Sequence, residues 1–202
     1  MSKSKPPEKR RVVNRAERER SLIAAAIKLF SSRGYEATTT REIAAAARCA
    51  EGLISRYFNG KAGLLRALIH RHFDHGWSEL KDAMPSRPTV ESEITQLLTQ
   101  HIEHIWEDRD FLRIIVPRVI LNASLAQEVD ELGPARQVKV IAERLRRHQE
   151  FLALPAAERE ALPNVLQIIG FVFGFLRPVM GEDPVRAKEK ALTVARMLSR
   201  AL

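Results

Sequence analysis

The sequence predicts an all-α protein, and three observations carry that expectation. Apolar residues recur at three- and four-residue steps through most of the chain, which places them on one face of successive helices. No alternating run bounded by turn residues reads as a strand. Pro134, Pro155, Pro163 and Pro184 stand where a first helical turn tolerates them. With 45% apolar and 29% charged residues over 202 positions, the chain can bury a core and is not compositionally disordered.

Residues 1–16 hold two prolines among basic residues and show little periodicity, so they are expected to form a flexible basic arm. From Glu17 the pattern changes: Leu22, Ile23, Ala26, Ile27, Leu29 and Phe30 trace an amphipathic helix that Gly34 ends. A threonine among Thr38–Thr40 can cap the next helix, a short one from Arg41 to about Ala47. After a break at Arg48, Cys49 and Ala50, a second short helix spans 51–57, and Asn59-Gly60 is a turn dipeptide. Lys61 opens a long helix whose stripe of Leu64, Leu65, Leu68, Ile69, Phe73, Trp77 and Leu80 reaches about Ala83. Leu22, Ile27, Phe30, Ile43, Ile54 and Phe58 are the expected core of this part. Pro85 and Pro88 then separate residues 17–83 from a helical region over 84–202. There the helical patterns are 90–107, 109–122, 134–152, 163–176 and 184–202. Short helices are expected near 124–132 and 156–161, with a kink or break at Pro117. About nine helices in all are expected.

The net charge of +8 is unevenly placed. Residues 1–66 carry 15 Lys/Arg against 6 Asp/Glu, whereas the other 136 carry 18 against 19. A basic block confined to one third of the chain points to phosphates as its partner. The lone Cys49 permits no intrachain disulfide and reads as a buried structural thiol, with a reducing compartment implied. The basic start lacks the apolar run of a secretory signal, and the longest apolar stretch, 168–176, is about half a membrane span. A soluble, cytoplasmic protein without a membrane partner is expected.

Two short helices joined by a tight turn, the second with small or polar exposed residues, make a helix-turn-helix. Its first helix braces across the DNA backbone, and the second enters the major groove, where base edges show a readable donor and acceptor pattern. The stretch LFSSRGYEATTTREIAAAARCAEGLISRYFNGKAGLLRALI resembles the DNA-binding region of the TetR family of transcriptional regulators. The likeness runs from about Glu17 to His75. It includes the RGYEATT entry, the Ile-Ala pair, the Arg-Tyr-Phe exit and Lys61 opening the fourth helix. It implies a three-helix DNA-binding domain followed by a larger helical domain for ligand binding and dimerisation.

By position, the resemblance gives Thr40 a phosphate contact and Arg41 a reach to a base. Glu51, Gly52 and Leu53 lead the recognition helix as candidates for base readout, and Tyr57 and Lys61 match phosphate-contacting positions. Three residues depart from the family pattern. Arg48 stands where glycine is usual in the turn, so the turn is strained there or Arg48 adds a cation near the phosphates. Ala50 replaces the usual Ser or Thr cap, at a loss of about 1 kcal/mol. Ser55 replaces a common tyrosine and removes one phosphate contact. Lys9, Arg10, Arg11 and Arg15 of the arm could compensate along a minor groove.

A short half-site gives one domain too little affinity, so such proteins bind palindromic operators as two-fold dimers. The resemblance implies a four-helix dimer interface from the last two helices, drawn from Ile169, Gly170, Phe173, Gly174, Leu192, Ala195 and Leu198. Packing within one subunit is the alternative use of the same residues. The middle helices are expected to surround an effector pocket. Its lining is drawn from Phe73, Trp77, Trp106, Phe111, Ile114 and Ile115, with His101, Arg113 or Arg118 as polar anchors. The pairs His101/His104 and His72/His75 lack the further ligands zinc needs, so no metal and no cofactor is expected. No catalytic motif is present: neither G-x-S-x-G, nor a phosphate-binding glycine loop, nor HExxH. The function expected is a non-enzymatic repressor released from double-stranded DNA by a small-molecule effector, a homodimer by implication. The rivals are a DNA binder without a small ligand and a helical enzyme carrying a DNA-targeting module.

Overall fold

The computed structural model describes residues 8–74, 84–200 and 202, with side chains from Arg15 onward. All regular structure among the described residues is helical. The chain forms two compact units, Met1–Asp74 and His75–Leu202. The expected end of the long helix near Ala83 lies outside the described residues, as do the side chains of Lys9, Arg10 and Arg11.

In the first unit, α1 (Glu8–Arg33), α2 (Thr40–Ala46), α3 (Gly52–Phe58) and α4 (Lys61–Asp74) bury one small core. It consists of Leu22, Ile23, Ala26 and Phe30 from α1, Ile43 and Ala44 from α2, Ile54 from α3, and Leu64, Leu65, Leu68 and Ile69 from α4. α1 begins at Glu8, inside the stretch expected to be an irregular arm. After Pro7 no further proline interrupts a run of long-chain residues that favour helix, and Arg15 pairs with Glu19 one turn on at 2.8 Å. Ile27, expected in the core, is 36% exposed on the outer edge of α1, and Phe58 is only half-buried.

The second unit is built on α5 (Val90–Glu107). It is packed by α10 (Ala156–Phe171), α11 (Pro184–Ser199) and α8 (Pro134–Leu145). α6 (Arg109–Leu121) and α7 (Ala123–Leu132) lead to α8, and α9 (Gln149–Ala153) follows it. The helix expected over 134–152 breaks after Leu145, so that α9 can turn Phe151 into the core, where it is 1% exposed. The helix expected to start at Pro163 begins instead at Ala156 and incorporates that proline. It continues through a π turn (Val172–Leu176) into Arg177–Val179. α6 likewise remains helical through Pro117. The run Ala156–Val179 is long and apolar enough to span a bilayer by length and composition alone. Its inner face nevertheless packs on α5 and α11.

That inner face takes up, within the subunit, residues expected at the dimer interface. A Cβ on Gly170 would lie 2.0 Å from Nδ1 of His101, and one on Gly174 would lie 2.9 Å from Cγ2 of Ile105. Both glycines therefore let α10 and its π turn close onto α5 within the subunit. Ala195 is fully buried, and Ile169, Phe173, Leu192 and Leu198 pack on the same core. A periodic apolar stripe cannot say which of two faces meets its own subunit, and here the small residues mark the inner one.

A buried charge network fastens the start of α5. Arg144 and Glu93 are each 1% exposed and bonded to one another through Nε and Oε1. Arg144 also donates to the carbonyls of Met84 (2.9 Å) and Pro85 (3.0 Å), and the Arg87 backbone N–H donates to Glu93 at 2.8 Å. Burial alone raises the Glu93 pKa, but hydrogen bonds from Arg144 and Arg87 more than offset it, so the carboxyl sits below its ordinary range.

His101 is 3% exposed, and burial, helped by the nearby His104, lowers its pKa to about 3. It is thus neutral in the folded protein, whereas unfolded histidine takes a proton near pH 6.5. Because the folded value is the lower one, stability is intact above pH 6.5 and declines as the pH falls from there toward 3. The slope is about 1.4 kcal/mol per pH unit for this one group. Urea midpoints of the wild type should drop between pH 7 and pH 5, and His101→Gln should flatten that drop. Equal slopes would show that His101 is not buried neutral.

Candidate nucleic-acid interface

The two seven-residue helices α2 and α3 are too short to persist alone, so tertiary and capping bonds must hold them. Thr39 caps α2: its Oγ1 accepts from the Glu42 N–H at 3.2 Å, and the Thr39 N–H donates to Glu42 Oε2 at 2.8 Å. The hydrogen bonds from the Thr39 backbone and hydroxyl hold the Glu42 carboxyl below its ordinary pKa. Thr38, fully buried, donates to the Gly34 carbonyl at 2.9 Å and shapes the entry from α1.

Lys61 is the clasp at the other end. Its Nζ donates to the carbonyls of Tyr35 (2.9 Å) and Thr38 (3.0 Å) and lies 4.3 Å from the centre of the Tyr35 ring. The residue expected to meet a phosphate therefore ties the start of α4 to the α1–α2 corner. Gly63 permits this junction, since a Cβ there would fall 1.5 Å from the Phe58 carbonyl oxygen.

The turn between α2 and α3 holds Arg48 at φ +52°, the left-handed region where glycine is favoured. The strain expected at this departure is thus present in the backbone, while the Arg48 side chain remains exposed. Cys49 is half-buried and its Sγ contacts the Ala47 carbonyl, short of the full burial expected. No side chain caps α3, and the residue at its N-cap is Glu51 rather than Ala50. The Glu51 carboxylate instead reaches across to α2, accepting from Thr40 Oγ1 at 2.7 Å.

Arg41, Arg48, Glu51, Gly52 and Ser55 are all exposed on these two helices and their turn. Thr40, Leu53, Tyr57 and Lys61 are half-buried. Tyr57 packs edge-on against Phe58 and lies beneath the Arg15 guanidinium at 5.2 Å. α1 thus brings a cation to the exit of α3, a pairing that neither sequence position signals by itself.

The expected effector-pocket residues fall into separate places. Phe73 is half-buried in the first unit, and Trp77 lies outside the described residues. In the second unit His101, Phe111 and Ile114 are buried. Trp106 is half-buried beneath the Arg109 guanidinium at 5.1 Å. Arg113 is exposed beside Asp110, and Arg118 is half-buried. Among the described residues, no group of three or more His, Cys, Asp or Glu is placed to hold a metal ion.

Two short helices braced by a third, with a charged and slender outer face on the second, define a helix-turn-helix transcriptional regulator. Residues 22–68 match the family model described as bacterial regulatory proteins, tetR family. The chain is 26% identical over 140 residues to the probable HTH-type transcriptional regulator YttP of Bacillus subtilis (strain 168), covering 66% of this chain and 67% of that one. It is 33% identical over 119 residues to the HTH-type transcriptional repressor KstR of Rhodococcus jostii (strain RHA1), over 58% of this chain and 55% of that one. The fold is shared with the transcriptional regulator FadR from Bacillus subtilis, solved in complex with stearoyl-CoA. The TM-score is 0.69 at 17% identity, over 87% of this chain and 96% of that one. Residues 22–68 therefore carry the DNA-binding region of the TetR family, and the relatives matched beyond it are transcriptional regulators.

Removing the Arg48 side chain should relieve the turn. Arg48→Gly is expected to raise stability by about 0.5–1 kcal/mol, the left-handed penalty less the entropy of the added glycine. Thermal melts of the two proteins check this, and a lower melting temperature for the glycine variant would mean that the turn is not strained.

Proposed function

We propose that the chain is a homodimeric repressor that binds a palindromic operator in the cytoplasm and leaves it when a small molecule binds the second unit. The observation that carries the DNA-binding part is the exposed face formed by Arg41, Glu51, Gly52 and Ser55 on two helices held in fixed register. Arg41 supplies the guanidinium suited to a guanine edge, and Gly52 and Ser55 keep the face slim enough for close approach. Tyr57 and Arg15 serve the phosphates at the exit of α3. Lys61 contributes by holding α4 in place and by its positive charge.

Repression is supported by the likeness to KstR, and small-molecule control by the likeness to FadR with its stearoyl-CoA. The buried Phe111 and Ile114 on α6 give the middle helices the apolar character that an acyl chain requires, and the half-buried Arg118 is the candidate anchor for an anionic group. Release then follows from unequal affinity of the effector for the DNA-bound and free conformations.

Dimerisation is assigned to the outer face of α10 rather than to its glycines. Val165, Ile168, Leu176 and Val179 recur at helical spacing on that face and are exposed, Ile168 by 56%, as is Met197 on α11 by 64%. Apolar side chains in such a row mark an interaction surface, and a symmetric operator calls for a two-fold partner. Ile168→Glu should yield a monomer of unchanged helical content in sedimentation. A dimer persisting in that variant would place the interface elsewhere.

Gel shifts against the DNA upstream of the protein's own gene, with and without stearoyl-CoA, test the whole reading. Salt-sensitive, palindrome-specific shifts that stearoyl-CoA weakens are expected. Arg41→Ala should cost about tenfold or more in specific affinity. Failure to discriminate any palindrome from random duplex would overturn operator binding, and shifts indifferent to stearoyl-CoA would remove the acyl effector.

A further inference from the structure

A carboxylate is an awkward group to bring against DNA. It is acceptor-only, and the phosphates around it share its charge. Yet Glu51 stands exposed immediately before the first residue of α3, in a chain whose basic excess lies in this same unit. It accepts from the neutral hydroxyl of Thr40, 2.7 Å away, rather than from a guanidinium. That bond fixes the carboxylate's direction from α2 without cancelling its charge.

A charged acceptor placed at the face that enters the major groove needs a donor there. Two base edges supply one: the N4 amino group of cytosine and the N6 amino group of adenine. Adenine shows its amino group beside the N7 acceptor, which suits an amide that can both donate and accept. A carboxylate has nothing to offer N7. Cytosine shows its amino group with no acceptor on the same base in the groove, and acidic side chains pair with it.

We infer that Glu51 reads a cytosine in each operator half-site, its carboxylate accepting from the N4 amino group while the Thr40 hydroxyl, as a positioning residue, holds it in register from α2. This rests on the DNA-binding reading above and deepens it. The Thr40 hydroxyl has one proton, so it serves Glu51 or a phosphate oxygen but not both. In this arrangement it serves Glu51, and phosphate contact passes to the neighbouring cations. The glutamate then restricts the operator in two ways: it rewards cytosine, and it repels any base whose groove edge at that point is an acceptor.

The experiment is selection from a randomised duplex library with the full chain as wild type, Glu51→Gln and Glu51→Ala, each confirmed helical by circular dichroism. Glu51 is exposed, so neither change opens a cavity. The wild type should enrich a palindrome with cytosine at one defined position of each half-site. Glu51→Gln should replace that cytosine by adenine, because the amide adds the donor that N7 accepts. Glu51→Ala should accept all four bases there, losing about fivefold or more in discrimination at that position while keeping the others. Thr40→Val, which lacks the hydroxyl, should keep cytosine with weaker discrimination. If the wild type enriches a palindrome and both Glu51 variants enrich the same bases at every position, this inference is wrong and the DNA-binding reading stands. If the wild type enriches no palindrome, the DNA-binding reading fails and this inference falls with it.

Discussion

The first unit depends on the clasp made by Lys61. Helices of seven residues do not persist by local bonding, so α2 and α3 exist only while the elements on either side hold them. Lys61 does this from the start of α4 by donating to two carbonyls of the α1–α2 corner and lying over Tyr35. A buried carbonyl left without a donor costs about 1–3 kcal/mol, and without Lys61 the carbonyl of the buried Thr38 would lose its ammonium donor, while that of Tyr35 would keep the Thr38 N–H at 3.3 Å. Gly63 meets a separate demand, the close passage from α3 into α4, where a Cβ would fall on the Phe58 carbonyl oxygen. The clasp also explains why the lysine is half-buried although its position resembles a phosphate contact.

The fold class, the helix-turn-helix and the limits of α2 and α3 were legible because period, turn residues and capping chemistry agree there. Thr39 with Glu42 three residues on is a capping box readable from sequence alone, and Arg48 in a glycine position left two readings open, of which the strained turn is the one its φ of +52° shows. The Thr40–Glu51 bond was not legible. It joins residues eleven apart across a turn whose geometry no propensity specifies. Arg15 over Tyr57 was hidden for a related reason: a basic residue near a chain start reads as part of a tail until the helix that carries it is seen.

In the second unit the sequence showed the apolar stripes but not which partner each would meet. Gln137, Ile141, Arg144 and Leu145 lie on one buried face of α8, and Val90, Glu93, Ile94 and Leu97 on one buried face of α5. Arg144 and Glu93 are thus polar residues in step with apolar stripes. That is the one sequence signal that could have located the buried pair, and charge alone argued for a solvated face. Replacing one member of such a pair leaves an uncompensated charge in the core, a larger disturbance than losing an exposed pair. Their further bonds to Met84, Pro85 and Arg87 extend this dependence to the segment that leads into α5.

The two glycines of α10 illustrate how packing decides function by elimination. Spacing of four marks a face where another helix can come close, and the family resemblance suggested a second subunit as that helix. The close neighbour is α5, with His101 occupying the room that Gly170 leaves and Ile105 that of Gly174. The π turn at Val172–Leu176 adds a wider helical turn at the same contact, where an α-turn would carry the following residues around to another face. Once the inner face is committed to α5 and α11, only the row containing Ile168 remains apolar and exposed on this helix. The same reasoning runs through the helix-turn-helix. Ile43 and Ile54 take the inner positions, and what is left outside is a short set of charged and small residues. Among these, Glu51 is the one whose charge opposes the duplex. A repulsive group in a binding face is tolerable where it discriminates, and that is the physical reason to seek the operator's sequence in Glu51 rather than in the surrounding cations.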